Sequence, residues 1–126
     1  MRTHVQTENA PQPKGPYCQA MICNGMVYVS GQGSIDPKSG EVIHGTIEEE
    51  TRLTILDVKA VLEAAGSSLE NVVRVGVYLA DMNDFAAMNT VFAEFFSDVK
   101  PVRTTVQAIP PVGLKVEMDC IAEVPE

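Results

Sequence analysis

The sequence predicts a single α+β or α/β domain, spanning residues 1–126, in which two helices cover one face of a mixed sheet. A chain of 126 residues with no internal repeat or linker is typical of one domain. Along the chain, the segments predicted as strands (β) and helices (α) follow the order β, β, short β, α, β, α, β, β. Because two helices cover only one face of such a sheet, we expect a second copy of the chain to cover the other.

The first strands are predicted by apolar runs on either side of a turn. Residues 21–23 and 26–29 are apolar, and Asn24-Gly25 stands between them. Asn-Gly between apolar runs is a strong hairpin signal, because both residues tolerate a positive φ. After the turn residues 36–40, the segment 41–43 is predicted as a third, short strand.

The first helix is predicted to begin at a capping box formed by Thr46 and Glu49 and to end at Gly66. Apolar residues at spacings of three and four predict its buried face. That face is expected to contain Leu53, Leu56, Ala60 and Ala64, widened by Ile55, Val58, Leu62 and Ala65.

The second half of the chain predicts one helix among three strands. Residues 72–79 are β-branched and read as a central strand, and residues 103–109 and 114–124 as the last two. Asn83 or Asp84 is expected to cap the second helix. One side of this helix is rich in aromatic residues, which we interpret as core packing: Phe85, Met88, Phe92, Phe95 and Phe96.

Composition disfavours several classes of function. The 17 acidic and 9 basic residues give a net charge of −8, which opposes binding to nucleic acid or to an anionic membrane. No apolar run approaches the roughly 20 residues of a membrane span, and the first residues lack the apolar core of a signal peptide. Three cysteines without a C-x-x-C pair predict neither disulfides nor zinc. We therefore expect a cytoplasmic protein with reduced thiols.

Only two histidines are present, which disfavours a histidine-based catalytic triad. His4 is expected near a loose chain end, and His44 beside a turn. Cys18 and Cys120 have no histidine neighbour in the sequence and are interpreted as inert thiols.

Arg103 and Glu117 are the strongest candidates for chemistry, since both fall on predicted strands near the end of the chain. If those strands pair, or face one another across an interface, the guanidinium could bind a substrate carboxylate while the glutamate acts as acid or base. The alternative is an ordinary ion pair or two solvated charges. Tyr17 is either a pocket wall or a packed ring, and the glycines Gly31 and Gly33 are only a weak anion-binding signal.

A set of segments, in this order and spacing, resembles the RidA/YjgF reactive-intermediate deaminase family, also labelled endoribonuclease L-PSP or translation inhibitor proteins. The similarity covers nearly the whole chain. The segments are APQPKGPYCQA (10–20), VSGQ (29–32), DP…G (36–40), KAVLEAAG (59–66), DMNDFAAMN (81–89), PVRTTV (101–106) and VEMDCIA (116–122).

The resemblance implies a chorismate-mutase-like α+β fold: a mixed six-stranded sheet with two helices on one face, assembled as a homotrimer with pockets between subunits. Family members hydrolyse enamines and imines such as 2-aminoacrylate or 2-iminopropionate to 2-oxo acids and ammonia, without metal or cofactor. Arg103 matches the arginine that holds the substrate carboxylate, and Glu117 the glutamate that positions or activates water. The other matched site residues are Tyr17, Ser30, Gly31, Asn89 and Thr105.

Two departures from the family pattern bear on the site. Thr105 occupies a position that is Cys in several deaminases, so only a backbone role is expected there. The stretch between Arg103 and Pro111 is one residue short, and a slip within a strand would reverse its facing. The alternatives to a deaminase are a non-catalytic trimer that binds small carboxylates or a protein partner and, less favoured by the charge, a ribonuclease or translation inhibitor.

Overall fold

The structure, a computed structural model, describes all 126 residues and contains six strands and two α-helices. The sheet order is β1-β2-β3-β6-β4-β5, with β4 and β5 parallel and all other neighbours antiparallel. The predicted mixed six-stranded sheet with two helices is thus confirmed. The elements are β1 (Arg2–Val5), β2 (Ala20–Cys23), β3 (Met26–Gln32), α1 (Ile47–Ala64), β4 (Val72–Leu79), α2 (Phe85–Phe95), β5 (Val102–Gln107) and β6 (Val116–Glu123).

The predicted β2–β3 hairpin is confirmed. Asn24 and Gly25 have φ values of 52° and 76°, and Cys23 pairs with Met26 across the turn. Both turn residues are left-handed, as a two-residue hairpin connection requires.

Two strand predictions near the N-terminus were wrong. Residues 2–5 form an edge strand in which His4 pairs with Met21, so His4 does not lie on a loose end. Residues 41–43 form no strand, but only an isolated bridge between Ile35 and Val42. The sequence of β1 lacks apolar alternation because only Val5 is buried there, and the strand is held by backbone pairing with β2.

The ends of α1 were predicted correctly, and its buried face in part: Ile55, Val58, Leu62 and Ala65 are buried as predicted. The Thr46–Glu49 capping box is present, and Gly66, with φ of 81°, follows the last turn. Leu56 is 41% exposed, however, and Ala64 also faces solvent. The buried face carries polar residues that an apolar pattern overlooks: Glu50, Thr51, Thr54 and Asp57, together with Ile55, Val58, Val61 and Leu62. Burial raises the pKa of Asp57 to about 7.

The predicted cap of α2 was correct in position only, since Asp84 is the N-cap residue but its side chain accepts no capping hydrogen bond. A 3₁₀ turn, Met82–Asp84, precedes the helix, and Asp81 caps that turn by accepting a hydrogen bond from the Asn83 backbone N–H at 2.9 Å. The polar side chain that does cap this region, Asp81, therefore lies four residues before Phe85, the first residue of α2.

The core lies between the helices and one face of the sheet. Its 22 buried residues include Val77 and Leu79 of β4, Val116 and Met118 of β6, and Met88 of α2. No helix covers the opposite face, where Tyr28, Val102 and Val106 are exposed. We refer to these as the helix face and the open face of the sheet.

One fully buried carboxylate, Glu50, joins α1 to the start of β6. Its Oε1 accepts from the Lys115 backbone N–H at 2.9 Å, and its Oε2 from the Gly45 backbone N–H at 3.2 Å. The Lys115 ammonium lies 3.3 Å from Oε2. Because Lys115 is two residues before Glu117, this buried contact fixes the position of the chain where it enters β6.

We predict that Glu50→Ala lowers the free energy of unfolding by about 2–4 kcal/mol, because two backbone N–H groups and an ammonium lose their acceptor. Denaturant unfolding would measure the change. Glu48→Ala is the matched control, since Glu48 is an exposed residue of the same turn, and should shift the value by less than about 0.5 kcal/mol. Equal losses in the two variants would contradict the role given to Glu50.

Candidate active site

Arg103 reaches from β5 onto the helix face, where it meets α2. Its Nη2 donates to Asn89 Oδ1 at 2.7 Å. Its Cζ lies 4.8 Å from the ring centroid of Phe92 and 5.6 Å from that of Phe85. Partial burial lowers the pKa of Arg103, but a guanidinium this basic stays charged at neutral pH.

Arg103 has no carboxylate partner. The ion pairs of the chain are Arg52–Glu94, Arg74–Asp119 and Lys115–Glu50. Arg103 and Glu117 therefore do not form the ordinary ion pair that the sequence left open. In a chain with 17 acidic residues, a half-buried guanidinium held by an amide and two rings remains free to bind an external anion.

Glu117 lies on the open face of the sheet, opposite Tyr78 of β4. Burial raises the pKa of its carboxyl above the ordinary range, and the charge of nearby Asp119 raises it further. Gly31 borders the carboxylate so closely that a Cβ at position 31 would overlap it. The β3–β6 register shifts between Val29 and Gln32, and this irregularity turns the Gly31 backbone towards Glu117.

Glu117 and Gly31 share a cleft with Tyr17. The cleft has a volume of about 140 Å³, and Lys14, Gln19 and Leu114 are among its other lining residues. Tyr17 is 55% exposed, and its hydroxyl accepts a hydrogen bond from the Lys14 backbone N–H at 3.4 Å. Of the two interpretations of Tyr17, the structure thus supports the cleft wall.

One chain does not bring Arg103 and Glu117 together. The strand β4 lies between β5 and β6, so the two strands do not pair. Arg103 is in register with Val75, whose side chain is buried on the helix face, whereas Glu117 is in register with Tyr78 on the open face. The direct pairing of these strands is thus excluded, and a meeting across an interface between copies stays a prediction.

The remaining predicted site residues divide between the two faces. Ser30 lies beside Gly31, and its hydroxyl donates to the Cys18 carbonyl at 2.7 Å, which ties β3 to the segment carrying Tyr17. Asn89 contacts Arg103, as described above. Thr105 is half-buried two residues beyond Arg103, in register with Val77, and so lies on the helix face.

The predicted one-residue shortening leaves both strands intact. β5 keeps an unbroken parallel register with β4 from Val102 to Gln107. The irregular backbone falls instead in the turn Pro111–Gly113, where Val112 has a φ of 53°. A deletion in this turn changes the facing of neither Arg103 nor Glu117.

The sequence reasoning missed a polar network beside Glu117. Asp119 accepts a hydrogen bond from the Tyr78 hydroxyl at 2.8 Å and lies 3.4 Å from the Arg74 guanidinium. The three side chains surround Gly76, where a Cβ would overlap the Asp119 carboxylate. The sequence shows that Arg74, Gly76 and Tyr78 alternate along β4. It does not show that β4 pairs with β6, which brings them beside Asp119.

It also missed the roles of Phe85 and Phe92, which were assigned to the core. Phe92 is buried, but Phe85 is 39% exposed, and both rings face Arg103. Their spacing of seven residues, with Asn89 between them, was the available signal.

Three further features concern metal binding, thiol chemistry and membrane insertion. No group of three or more His, Cys, Asp or Glu side chains is placed to hold a metal ion. Cys120 is buried in the core, where burial raises the pKa of its thiol to about 12. Neither helix combines the length and the apolar character that crossing a bilayer requires.

We predict that the Glu117 carboxyl titrates above the ordinary glutamate value of about 4.3. Asp119→Asn removes a neighbouring negative charge and should lower the pKa of Glu117. Asp98→Asn, which makes the same change at an exposed site away from the cleft, should leave it unchanged. The ¹³C chemical shift of the Glu117 carboxyl across a pH titration measures both. A Glu117 pKa at or below the ordinary value would contradict the prediction.

Comparison with known proteins gives consistent matches along the chain. The sequence model of the family Endoribonuclease L-PSP matches residues 7–124. A RutC family protein of Pyrococcus horikoshii is 47% identical over 123 residues, covering 97% of this chain and 98% of the relative. A 2-iminobutanoate/2-iminopropanoate deaminase of Capra hircus is 39% identical over 123 residues, covering 97% of this chain and 90% of the relative.

Solved structures agree with the sequence matches. The YjgF gene product of E. coli superposes with a TM-score of 0.90 at 35% identity, covering 98% of this chain and 99% of the other. At this identity the likeness extends beyond fold to sequence. The chain therefore belongs to the endoribonuclease L-PSP family, that of the RidA/YjgF proteins.

Proposed function

We propose that this protein is a deaminase that hydrolyses small enamines and imines derived from 2-amino acids, giving 2-oxo acids and ammonia. The observation that carries the proposal is the Arg103 guanidinium, which is half-buried, oriented by Asn89 and unpaired with any carboxylate. A planar guanidinium in this state suits a substrate carboxylate, which it can hold through two parallel hydrogen bonds. The named deaminase among the relatives supports the same reaction class.

We further propose that the complete site lies between copies of the chain, in a homotrimer. Arg103 and Glu117 lie on opposite faces of the sheet, so a second copy is needed to bring one towards the other. Exposed apolar residues on β5 and the following loop support such an assembly, since a monomer would leave them in water. They are Val102, Val106, Ile109 and Val112.

The chemistry requires only two protein groups. An enamine becomes the electrophilic imine when its terminal carbon gains a proton from solvent. Glu117 then accepts a proton from the water whose oxygen bonds to the imine carbon, and the imine nitrogen, already protonated, takes up the electron pair. The proton returns from Glu117 to that nitrogen. As the carbon–nitrogen bond breaks and ammonia leaves, Glu117 takes the proton of the added hydroxyl, whose oxygen becomes the carbonyl of the 2-oxo acid, and then releases that proton to solvent. Arg103 holds the carboxylate throughout.

The environment of Glu117 suits this exchange. A general base works best when its pKa lies near the working pH, and both burial and Asp119 move the pKa of Glu117 upwards from the usual carboxyl range. Tyr17 and Gly31 border the same cleft and leave space in front of the carboxylate for a water and a small substrate.

We predict that Arg103→Ala lowers kcat/KM for 2-iminopropionate about 30–1,000-fold, corresponding to about 2–4 kcal/mol of lost transition-state binding. Arg103→Lys keeps the charge but loses the planar fork, so it should also be strongly impaired. The imine is generated by a dehydratase and its loss followed spectroscopically. Arg52→Lys, at an exposed surface arginine, is the matched control and should retain full activity.

Glu117→Gln separates catalysis from binding in the same assay. The variant removes the base but keeps the size of the side chain, so 2-oxobutyrate should still bind while turnover falls. Wild-type protein that binds 2-oxobutyrate without accelerating imine loss would favour the alternative, a carboxylate-binding trimer. Near wild-type turnover by Arg103→Ala would overturn the assignment of the anchor.

We predict that the protein is a trimer at micromolar concentration, with a mass about three times the chain mass of 13.6 kDa. Light scattering or sedimentation equilibrium would measure it. Val102→Glu places a charge on an exposed apolar position of the edge strand and should shift the distribution towards smaller species. A wild-type protein that remains at the chain mass would contradict the intersubunit site.

A further inference from the structure

The guanidinium of Arg103 contacts two aromatic rings of the same helix. Its Cζ is 5.6 Å from the Phe85 centroid and 4.8 Å from the Phe92 centroid, and it lies over each ring. Phe85, Asn89 and Phe92 are spaced by four and three residues, which places them on one face of α2. This face of the helix meets the guanidinium.

The plane of the guanidinium is fixed by the residues between the two rings. Asn89 Oδ1 accepts from Nη2 at 2.7 Å, and Met88 Sδ lies 3.9 Å from Nη1. A guanidinium has five N–H donors, so three remain when these contacts are made. Three donors are enough for a bidentate carboxylate at the free edge of the group.

We propose that Phe85 and Phe92 act as an aromatic clamp on Arg103, and that Asn89 is a positioning residue that sets the rotation of the guanidinium instead of contacting the substrate. The rings hold the cation against α2, and the N–H donors that Asn89 and Met88 leave free are available to the carboxylate. This inference rests on the proposed function only in taking that carboxylate to belong to the substrate.

Phe85 is the residue that distinguishes a clamp from simple core packing. Phe92 is buried and stacks on Phe96 with ring centroids 4.4 Å apart, so the core alone accounts for it. Phe85 is 39% exposed, and the core gains little from its ring. Its contact with the Arg103 cation gives the ring a function: a cation over an aromatic face is attracted to it and is shielded from water.

The clamp limits the rotamer freedom of the Arg103 side chain before a carboxylate binds. Arginine loses considerable rotamer freedom when it binds a ligand, and β5 is an edge strand with no neighbour on its outer side. Rings and amide from α2 pre-orient the side chain before a carboxylate arrives, so less freedom is lost on binding.

The first test observes the guanidinium directly and needs no ligand. The chain has four arginines, Arg2, Arg52, Arg74 and Arg103, so ¹⁵N-arginine spectra are simple, and Arg103→Lys identifies the signal of interest. We expect the Arg103 Nε–H signal to be shifted by the aromatic rings. Phe85→Leu should move it towards the exposed arginines, while the control Phe95→Leu, on the same helix without contact to Arg103, should not. An Arg103 signal unaffected by Phe85→Leu overturns the clamp.

The second test is a double-mutant cycle on 2-oxobutyrate binding, measured by calorimetry. Phe85→Leu should weaken binding about threefold to tenfold in the wild-type background, as expected for a partly exposed cation–ring contact. In the Arg103→Lys background, where no planar group is left to orient, the same substitution should cost less than twofold. Equal weakening in both backgrounds overturns the clamp. If wild-type protein binds no 2-oxo acid, the proposed function fails, and the arginine spectra alone decide the clamp.

Discussion

The two-residue repeat of the β-strand governs how this protein can use its charged residues. Along β6, Val116, Met118 and Cys120 enter the core, and Glu117 and Asp119 therefore face the other way. Along β5, the same repeat turns Arg103 towards α2. The proposed carboxylate anchor and the proposed acid–base residue are thus separated by the thickness of the sheet, and no side-chain rotation within one chain removes that separation.

The two carboxylates of the open face differ in their surroundings. Asp119 is held by the Tyr78 hydroxyl and by Arg74, so its charge is compensated within the chain. Glu117 has no such partner and faces a cleft beside Gly31, and it is the carboxyl whose pKa is raised by burial. Two acids only two residues apart therefore have different surroundings: Asp119 is held in a network within the chain, and Glu117 is open to the cleft.

The features that the sequence predicts well are those formed by residues close together in the chain. The Asn24-Gly25 hairpin and the Thr46–Glu49 capping box are each specified by residues within one turn, and both are present. The strand β1 and the buried face of α1 depend on distant partners. Val5 is the only buried residue of β1. Glu50 lies on the buried face of α1 because Lys115, 65 residues away, donates its backbone N–H to the carboxylate. Apolar periodicity carries no information about such partners.

The same distinction applies to the candidate site. Arg103 and Glu117 could be named from the resemblance of their segments to a known family, but their separation by the sheet could not, because it depends on β4 lying between β5 and β6. The aromatic spacing on α2 was visible as a stripe and was assigned to the core. Only the rotation of α2 against β5 shows that Phe85, Asn89 and Phe92 converge on one guanidinium.

The exposed edge of the sheet connects stability with function. β5 leaves one side unpaired, and its exposed Val102 and Val106 would invite uncontrolled association in an isolated monomer. Arg103 is on this same strand, so a partner that covers the edge also lies close to the proposed carboxylate anchor. An assembly that buries the apolar residues of β5 thus resolves an aggregation hazard and a catalytic separation at once, because both have their origin in the placement of one strand at the end of the sheet.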